Sequence, residues 1–471
     1  MTVIRYHSSG VVIDSGDGKD VDVAAVYSPQ FVEQLNEAAD EAAWSSDYIN
    51  EIFMYFFLRI KECTDILMVR ECAELNATSV NGKNWFVWMA AALKLKVKVP
   101  LNIKVAFQLK NVGFFLYSFL VVLVTSLMLP LYVLTRKRKP IQSLKRPFTV
   151  IRSPATYNKM SFLGEQVEFF YDDLGKNRPS NNGLSLYGVG SVTYRLSSLF
   201  RVPFLAIKDY ILIARDSKRL LGWQFTGYVL NYYSKRIAHK SIFEYYLELL
   251  IKENKNSLFY TGNKEDRFAV LENRLSDRLN VNLICIPHGI EYSYRVPAGL
   301  AGKKFYCSTR YVQMYLRTLY KDKEKFIFDD EIANKMFDKG YHSDNAKRLV
   351  FFPESREPEI NASILKCLIE SGRPVFLKLH ILDKVENYTP YLDKITLIDN
   401  FDDAITNNIC VARKSTVLIE AIYNGSLPVA VLINSKDKAF VDYMLPSLKD
   451  QKIRKIDSCE QLSLFLSELT L

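Results

Sequence analysis

Apolar and polar residues follow three regimes along this chain. Up to about residue 111 the pattern is mostly helical. Ser28 to Ala43 mixes polar and apolar residues in a helical pattern, and Tyr48 to Ile60 is rich in Phe, Tyr and Ile. Val112 to Leu134 then runs 23 residues without a formal charge, 16 of them Val, Leu, Phe or Met, and is followed after Thr135 by Arg136-Lys137-Arg138-Lys139. At 1.5 Å rise per residue a helix of this length reaches roughly 34 Å, against a hydrocarbon core of about 30 Å. At about −0.3 to −0.6 kcal/mol per large apolar residue it gains roughly 5 to 10 kcal/mol in lipid. Membrane association is expected; the alternative is a helix buried on all sides within a large domain.

Beyond the basic cluster, short β runs alternate with helices. Phe148–Ile151 and Val167–Tyr171 read as strands, Gly175 to Gly183 as a loop, and Thr193–Leu221 and Gly227–Asn254 as long helices, the first open to a break at Pro203. Ser257–Tyr260, Asn282–Ile286 and Lys304–Cys307 follow as strands, with helices at Lys264–Leu279 and Thr309–Tyr320. Lys321 to Asn345 is charged, lacks strand signals and reads as a connection. A second series begins at Arg348–Phe352 and continues with strands at Val375–Leu379, Ile395–Ile398, Asn408–Val411 and Pro428–Leu432. Its helices fall at Asn361–Glu370, Phe401–Ile405 and Thr416–Asn424. Such alternation predicts an α/β fold of two Rossmann-like domains, with ligands at the carboxyl ends of strands facing a cleft. The expected division is a helical, membrane-associated N-terminal region (1–111), an apolar helix with its basic flank (112–146), and two α/β domains (147–325 and 346–471).

Composition narrows this picture. The 471 residues, 49% apolar and 24% charged, suit an ordinary globular protein of two or three domains. The net charge of +10 suits nucleic acid, an anionic membrane face or phosphate-bearing substrates. The densest cations, Arg136 to Lys139 with Lys145 and Arg146, abut the apolar run, which favours membrane and phosphate; no nucleic-acid partner is expected. The seven cysteines are scattered without a CxxC pair, reading as small buried hydrophobes in a reducing compartment. Met1 to Asp14 lacks a basic-then-apolar pattern, so no signal peptide is expected. Lys94, Lys96, Lys98, Lys104 and Lys110 make the other flank basic too, so the helix orientation stays open. Pro130 leaves crossing and re-entry both open. Trp85 and Trp88 before these lysines suit a membrane interface or a packed helical subdomain.

Five segments could carry chemistry. Ile284-Cys285-Ile286-Pro287-His288-Gly289 ends a strand in a tight turn, where His288 could act as general base or donate to a phosphate; Glu291 to Arg295 add polar groups to the same rim. Val375 to His380 delivers Lys378 and His380 to one face of a strand end, a pairing that suits ribose and phosphate. In Val411 to Ala421, Ser415 and Thr416 open a helix beside Arg413 and Lys414, forming an anion site, with Glu420 one turn on as an acceptor for ribose hydroxyls. The loop Phe352 to Pro358 offers Arg356 as a phosphate contact, with Ser355 beside it. Asp172 and Asp173 end a strand and could act as base toward a sugar hydroxyl. His7, His239 and His342 read as structural. No GxxxxGK[ST] loop occurs, no DxD triplet ends a predicted strand, and the His and Cys spacings do not suggest zinc, so no metal site is expected.

In this order, the motifs resemble those of bacterial GT-B glycosyltransferases that build surface polysaccharides. The nearest resemblance is to capsule sialyltransferase-like and Kdo-transferase-like enzymes and teichoic-acid glycerophosphotransferases, over about residues 147 to 460. The strand ending in His288-Gly289, the Lys378-x-His380 strand end, and the Ser415-Thr416 helix start with Glu420 carry the likeness. Ile381 stands where the family has proline, and Leu174 separates Asp172 and Asp173 from Gly175. The resemblance implies metal-independent, inverting sugar transfer from a nucleotide-sugar, CMP-sugars favoured, to a lipid-linked or surface glycan at the cytoplasmic face of the plasma (inner) membrane. It implies no cofactor beyond that co-substrate. Donor phosphate would meet Ser415, Thr416, Arg356 and Lys378, with His380 toward the nucleoside and His288 or Asp172/Asp173 as base. A nucleotide-sugar 2-epimerase and a catalytically silent membrane scaffold are the other readings.

Overall fold

The computed structural model describes residues 3–7, 10–14, 26–69, 79–80, 101–135, 146–174, 184–287, 289–341, 347–355 and 357–469. The Trp85–Trp88 segment, the Arg136–Lys139 cluster and the Gly175–Gly183 loop lie outside these residues.

Three short strands, β1 (Val3–His7), β2 (Gly10–Asp14) and β3 (Ser79–Val80), pair in the order β2-β1-β3. The mostly helical reading of this region did not anticipate them. The remainder is mixed α/β with two parallel sheets. The first sheet comprises β4 (Phe148–Ile151), β5 (Glu168–Tyr171), β6 (Leu184–Ser185), β7 (Phe259–Thr261), β8 (Leu283–Cys285), β9 (Lys304–Tyr306) and β10 (Phe326–Ile327). Its order is β10-β9-β8-β7-β4-β5-β6. The second comprises β11 (Leu349–Phe352), β12 (Val375–Leu377), β13 (Ile395–Leu397), β14 (Ile409–Ala412), β15 (Leu427–Val431) and β16 (Arg454–Ile456), in the order β13-β12-β11-β14-β15-β16. In each sheet the chain runs outward to one edge, then returns to the middle and runs to the other. The switch points lie between β4 and β7 and between β11 and β14, the location at which doubly wound sheets open a crevice. Continuous apolar runs form the central strands because both faces are covered: every residue of β4, β11 and β14 is buried.

The stretch read as a strandless connection holds β10 and a helix at Asp330–Phe337. β10 is only two residues long, in an apolar run of three (Phe326–Phe328) between charged stretches, a blunted edge strand with too little apolar run to signal itself. Pro203 does not break its helix, which runs Val192–Leu221 between packed neighbours. Cys367 and Cys459, read as isolated thiols, are bridged, with Cα atoms 5.6 Å apart; their 92-residue separation hid the pairing. Cys285, Cys307 and Cys410 are free and buried, as that reading anticipated.

The apolar segment forms a helix over Leu101–Thr135. It is not buried on all sides: only 17% of its most apolar stretch is covered. One stripe packs on two long helices, Val192–Leu221 and Trp223–Glu253. Near its start, Asn111 receives the Gly227 N–H at 2.7 Å and donates to the Trp223 carbonyl at 3.1 Å. A Cβ at Gly227 would fall 1.9 Å from the Asn111 carbonyl oxygen, so only glycine permits this approach. Near its end, Val133 is buried in the same cluster as Val202 and Leu250.

The N-terminal helices tie this layer to both sheets. Lys240, fully buried, contacts Asp47 at 2.5 Å, Glu244 at 2.7 Å and Asp209 at 3.1 Å. Asp216 accepts the Ser46 N–H at 2.7 Å, and Asn50 bonds the backbone of Glu265, Ala298 and Gly299. The helix Pro29–Glu41 reaches Arg295 through Asn36 and Asp40, while Tyr27 packs edge-on against Phe440 of the second lobe.

Candidate functional site

The loops after β11, β12 and β14 converge at the second switch point. They line a cavity of about 490 Å³ with Glu354 and Ser355, Lys378 and His380, and Lys414, Ser415 and Thr416. Ile290 and Tyr292, from the loop after β8 in the first sheet, close it from across the cleft, and Phe401 and Phe440 supply apolar walls. Four sequence-predicted donor residues, Lys378, His380, Ser415 and Thr416, therefore share one cavity.

Their states differ. Lys378 is half-buried and, among the described residues, pairs with no carboxylate. His380 is exposed at the rim and accepts the Leu382 N–H on Nδ1 at 3.1 Å, which leaves Nε2–H as the donor. Ser415 caps the Val417 N–H at 3.3 Å. The helix behind it, Val417–Tyr423, has only seven residues, so its dipole adds little, and Lys378 is the cation that this lining leaves for an anionic ligand. Lys414 contacts Asp437 at 2.5 Å and Glu357 at 3.5 Å and is already neutralised.

An ion-pair network supports the cavity floor. Arg413 is fully buried, donating to Asp437 at 2.6 Å and to Glu357 at 2.5 Å. Burial alone would raise both carboxyls, but Lys414 and Arg413 hold Asp437 at about 2; together with Lys436 they hold Glu357 at about 2. Glu354 behaves oppositely. Burial pushes its carboxyl above the usual value despite Lys414 and Arg413, and one oxygen accepts the Lys414 N–H at 3.1 Å.

A second cavity of about 260 Å³ adjoins the first and shares Tyr292, Glu354, Lys414 and Phe440 with it. Its far wall comes from the N-terminal helices: Tyr27, Tyr55, Arg59 and Glu62, with Tyr27 donating to Glu62. The two cavities form arms of one cleft, and Glu354 borders both. Sequence reasoning passed over Glu354, although it stands in the loop flagged for Arg356. Nothing in the sequence links Tyr27 or Glu62 to that loop.

The other predicted residues fall elsewhere. Asp172 lines neither arm; it ends β5 nearly buried, accepting from Tyr187 at 2.7 Å and meeting His239 at 2.9 Å. Burial would raise its carboxyl, but His239 and Arg152 bring it below the ordinary value. His239, read as structural, is the partner of this buried carboxylate. Asp173 also lines neither arm and accepts the Ser185 hydroxyl at 3.0 Å. Glu420 does not reach the cavity. It is buried between Lys159 of the first lobe at 2.9 Å and Lys339 of the connection at 3.2 Å, tying the lobes together. His288 and Arg356 lie outside the described residues. The neighbouring Gly289 has φ of 99°, the left-handed backbone that a tight turn there needs.

Asp47, Asp209 and Glu244 are close enough together to hold a metal ion. The Lys240 ammonium already lies among them and supplies the positive charge.

Comparison with models of protein families finds no match, and comparison with curated proteins finds none.

Proposed function

We propose that this protein is a GT-B-type glycosyltransferase that works at a membrane. It moves a sugar from a nucleotide-activated donor, with CMP-sugars first in line, to a lipid-linked or surface glycan. The observation that carries the reading is convergence. The strand-end residues Lys378, His380, Ser415 and Thr416 share a cavity at the switch point of a parallel sheet, facing the other lobe, where such sheets take nucleotides.

In this reading the first arm takes the donor. Lys378 and the His380 Nε2–H meet the phosphate and stabilise the charge that develops on the leaving nucleotide. The Ser415 and Thr416 hydroxyls add hydrogen bonds, with Arg356 as a further phosphate contact. The second arm, with its tyrosines and mixed charges, takes the acceptor. An acceptor hydroxyl attacks the anomeric carbon, the bond to the nucleotide breaks, and a base takes the hydroxyl proton. The sequence offers His288 or the Asp172/Asp173 pair as that base. Glu354, bordering both arms with a raised carboxyl, is the base that the cleft geometry favours over Asp172 and Asp173. The apolar helix fits an acceptor held in a membrane.

A thermal-shift titration of the full-length, detergent-solubilised protein with CMP, CDP, UDP and GDP tests this. One nucleotide raises Tm saturably by mass action, and Lys378→Ala removes the effect. No shift with any of the four would overturn the reading.

A further inference from the structure

Deepening the membrane part of the proposed function, on which it rests, we infer that this protein lies on one leaflet. Two helices, not one, form a single lipid-facing surface, and Leu101–Thr135 sits in the plane of an anionic membrane without crossing it.

The first observation is where the apolar exposure falls. Leu116, Leu120, Val124, Leu127, Met128 and Leu131 stand exposed along the outer stripe of the apolar helix. Beside it, Val192–Leu221 exposes a stripe of its own, Val192, Leu196, Phe200, Phe204 and Ile211, with Phe200 81% and Phe204 65% accessible. The helices touch: the Tyr210 hydroxyl donates to the Phe115 carbonyl at 2.6 Å, and Val122 is buried in one cluster with Ala206 and Tyr210. Their outward faces therefore adjoin.

The second observation is charge. The exposed ionisable side chains of Val192–Leu221 are all cationic: Arg201, Lys208, Arg215, Lys218 and Arg219. Both of its acids, Asp209 and Asp216, are turned inward, onto Lys240 and onto the Ser45 and Ser46 amides. The apolar helix contains no Asp or Glu and exposes Lys104 and Lys110. In these two helices the apolar face is flanked by exposed cations and by no exposed acid, which complements hydrocarbon bounded by anionic headgroups.

The third observation argues against crossing. By length alone the charge-free part, about 34 Å, would span a hydrocarbon core of about 30 Å, so the packing of the helix decides. Contacts with its two neighbours run from Phe107, against Phe225 and Tyr228, to Val133. To carry it across, the bilayer would have to take in the neighbouring helix as well, with Arg201, Lys208 and the Asp209–Lys240 pair in hydrocarbon. Lying flat lets the exposed cations of both helices reach the headgroups while both apolar stripes enter the acyl region.

Two measurements on the full-length protein test the inference. In the first, the parent and the Phe200→Ser/Phe204→Ser variant are sedimented with phosphatidylcholine vesicles with and without phosphatidylglycerol. Phosphatidylglycerol is expected to strengthen binding, salt to weaken it, and the variant to bind about tenfold or more weakly. Both side chains are exposed, so an unchanged nucleotide-induced Tm shift serves as the folding control. Unchanged vesicle binding by the variant overturns the two-helix face. In the second, Asn102→Cys and Thr135→Cys are labelled with a membrane-impermeant thiol reagent in sealed native vesicles, against the parent chain. Labelling of both from the same side supports the in-plane placement, and labelling from opposite sides overturns it while leaving membrane association standing. Absence of all vesicle binding overturns the inference and the membrane reading together, without touching the nucleotide result.

Discussion

The two parallel sheets share a strand order around their switch points, yet among the described residues the charged groups at one are paired off while a cavity opens at the other. Between β4 and β7, Arg152 reaches Asp266 at 3.0 Å and Asn263 at 3.2 Å, while Asp172, 6% exposed, is satisfied by Tyr187 and His239. Between β11 and β14, the charged groups are drawn down into the floor around Arg413. Lys378 and His380 remain at the cavity above, and Glu354 stands at its edge. Topology provides a crevice twice; side-chain pairing decides which one has polar groups left for a ligand.

The sharpest way to break this contrast is to remove the floor. Arg413→Met takes the fully buried guanidinium from Asp437 and Glu357, leaving them only Lys414 and Lys436 at the edge of the network, and is expected to destabilise the protein by about 3 kcal/mol, read from denaturant unfolding. A loss below about 1 kcal/mol would mean that the network is not what shapes the open site.

Asp172→Asn comes next, with an expected loss of about 1–3 kcal/mol from the closed crevice. Nucleotide affinity should not change, since Asp172 lines neither arm. Weakened nucleotide binding would break the contrast between the lobes. Unchanged stability and affinity with lost turnover would return the base role to Asp172.

Lys378→Ala tests the open side. Stability should stay within about 0.5 kcal/mol of the parent. Affinity for the stabilising nucleotide should fall about tenfold or more, since a charge-assisted hydrogen bond contributes about 1.5–3 kcal/mol and about 1.4 kcal/mol is a factor of ten. An unchanged nucleotide Kd, measured by titration calorimetry, would remove Lys378 from the site.

The smallest effect at neutral pH is the acid sensitivity of the second lobe's ion-pair floor. Asp437 and Glu357 sit at about 2, below their unfolded values of 3.8 and 4.5. Carboxyls depressed by folding contribute stability above the unfolded values and lose it as pH falls through the folded ones. Their contribution should hold constant from pH 7 to about 5 and disappear between about 4 and 2. The substitution Asp437→Asn should flatten that part of the unfolding profile.

Much of the open site was legible because its parts are local. A β run ending in Lys378-Leu379-His380, and another running through Arg413 into Ser415-Thr416, state their geometry in a few consecutive residues. Alternation sets the face, and the strand end sets the depth. Glu420 shows the limit. Its helical offset from Ser415 was readable, but the two lysines that claim it lie 261 and 81 residues before it in the chain. The Asp172–His239 pair and the Cys367–Cys459 bridge were hidden for the same reason. The Val192–Leu221 helix was read to within a residue of its bounds, but its outward face was not legible. With apolar residues on most of its circumference, periodicity alone could not say whether Phe200 faced the core or the outside.

Taken by itself, the order of residues determined the alternation of strands and helices, the long apolar segment and the polar groups set at strand ends. All of these follow from preferences acting over a few neighbours. Only the tertiary structure decided which crevice stays open, which acids are consumed in pairs, that the N-terminal helices wall the second arm, and that a second helix shares the apolar face. Those outcomes depend on Coulomb attraction and packing between residues far apart in the chain, which no local pattern encodes.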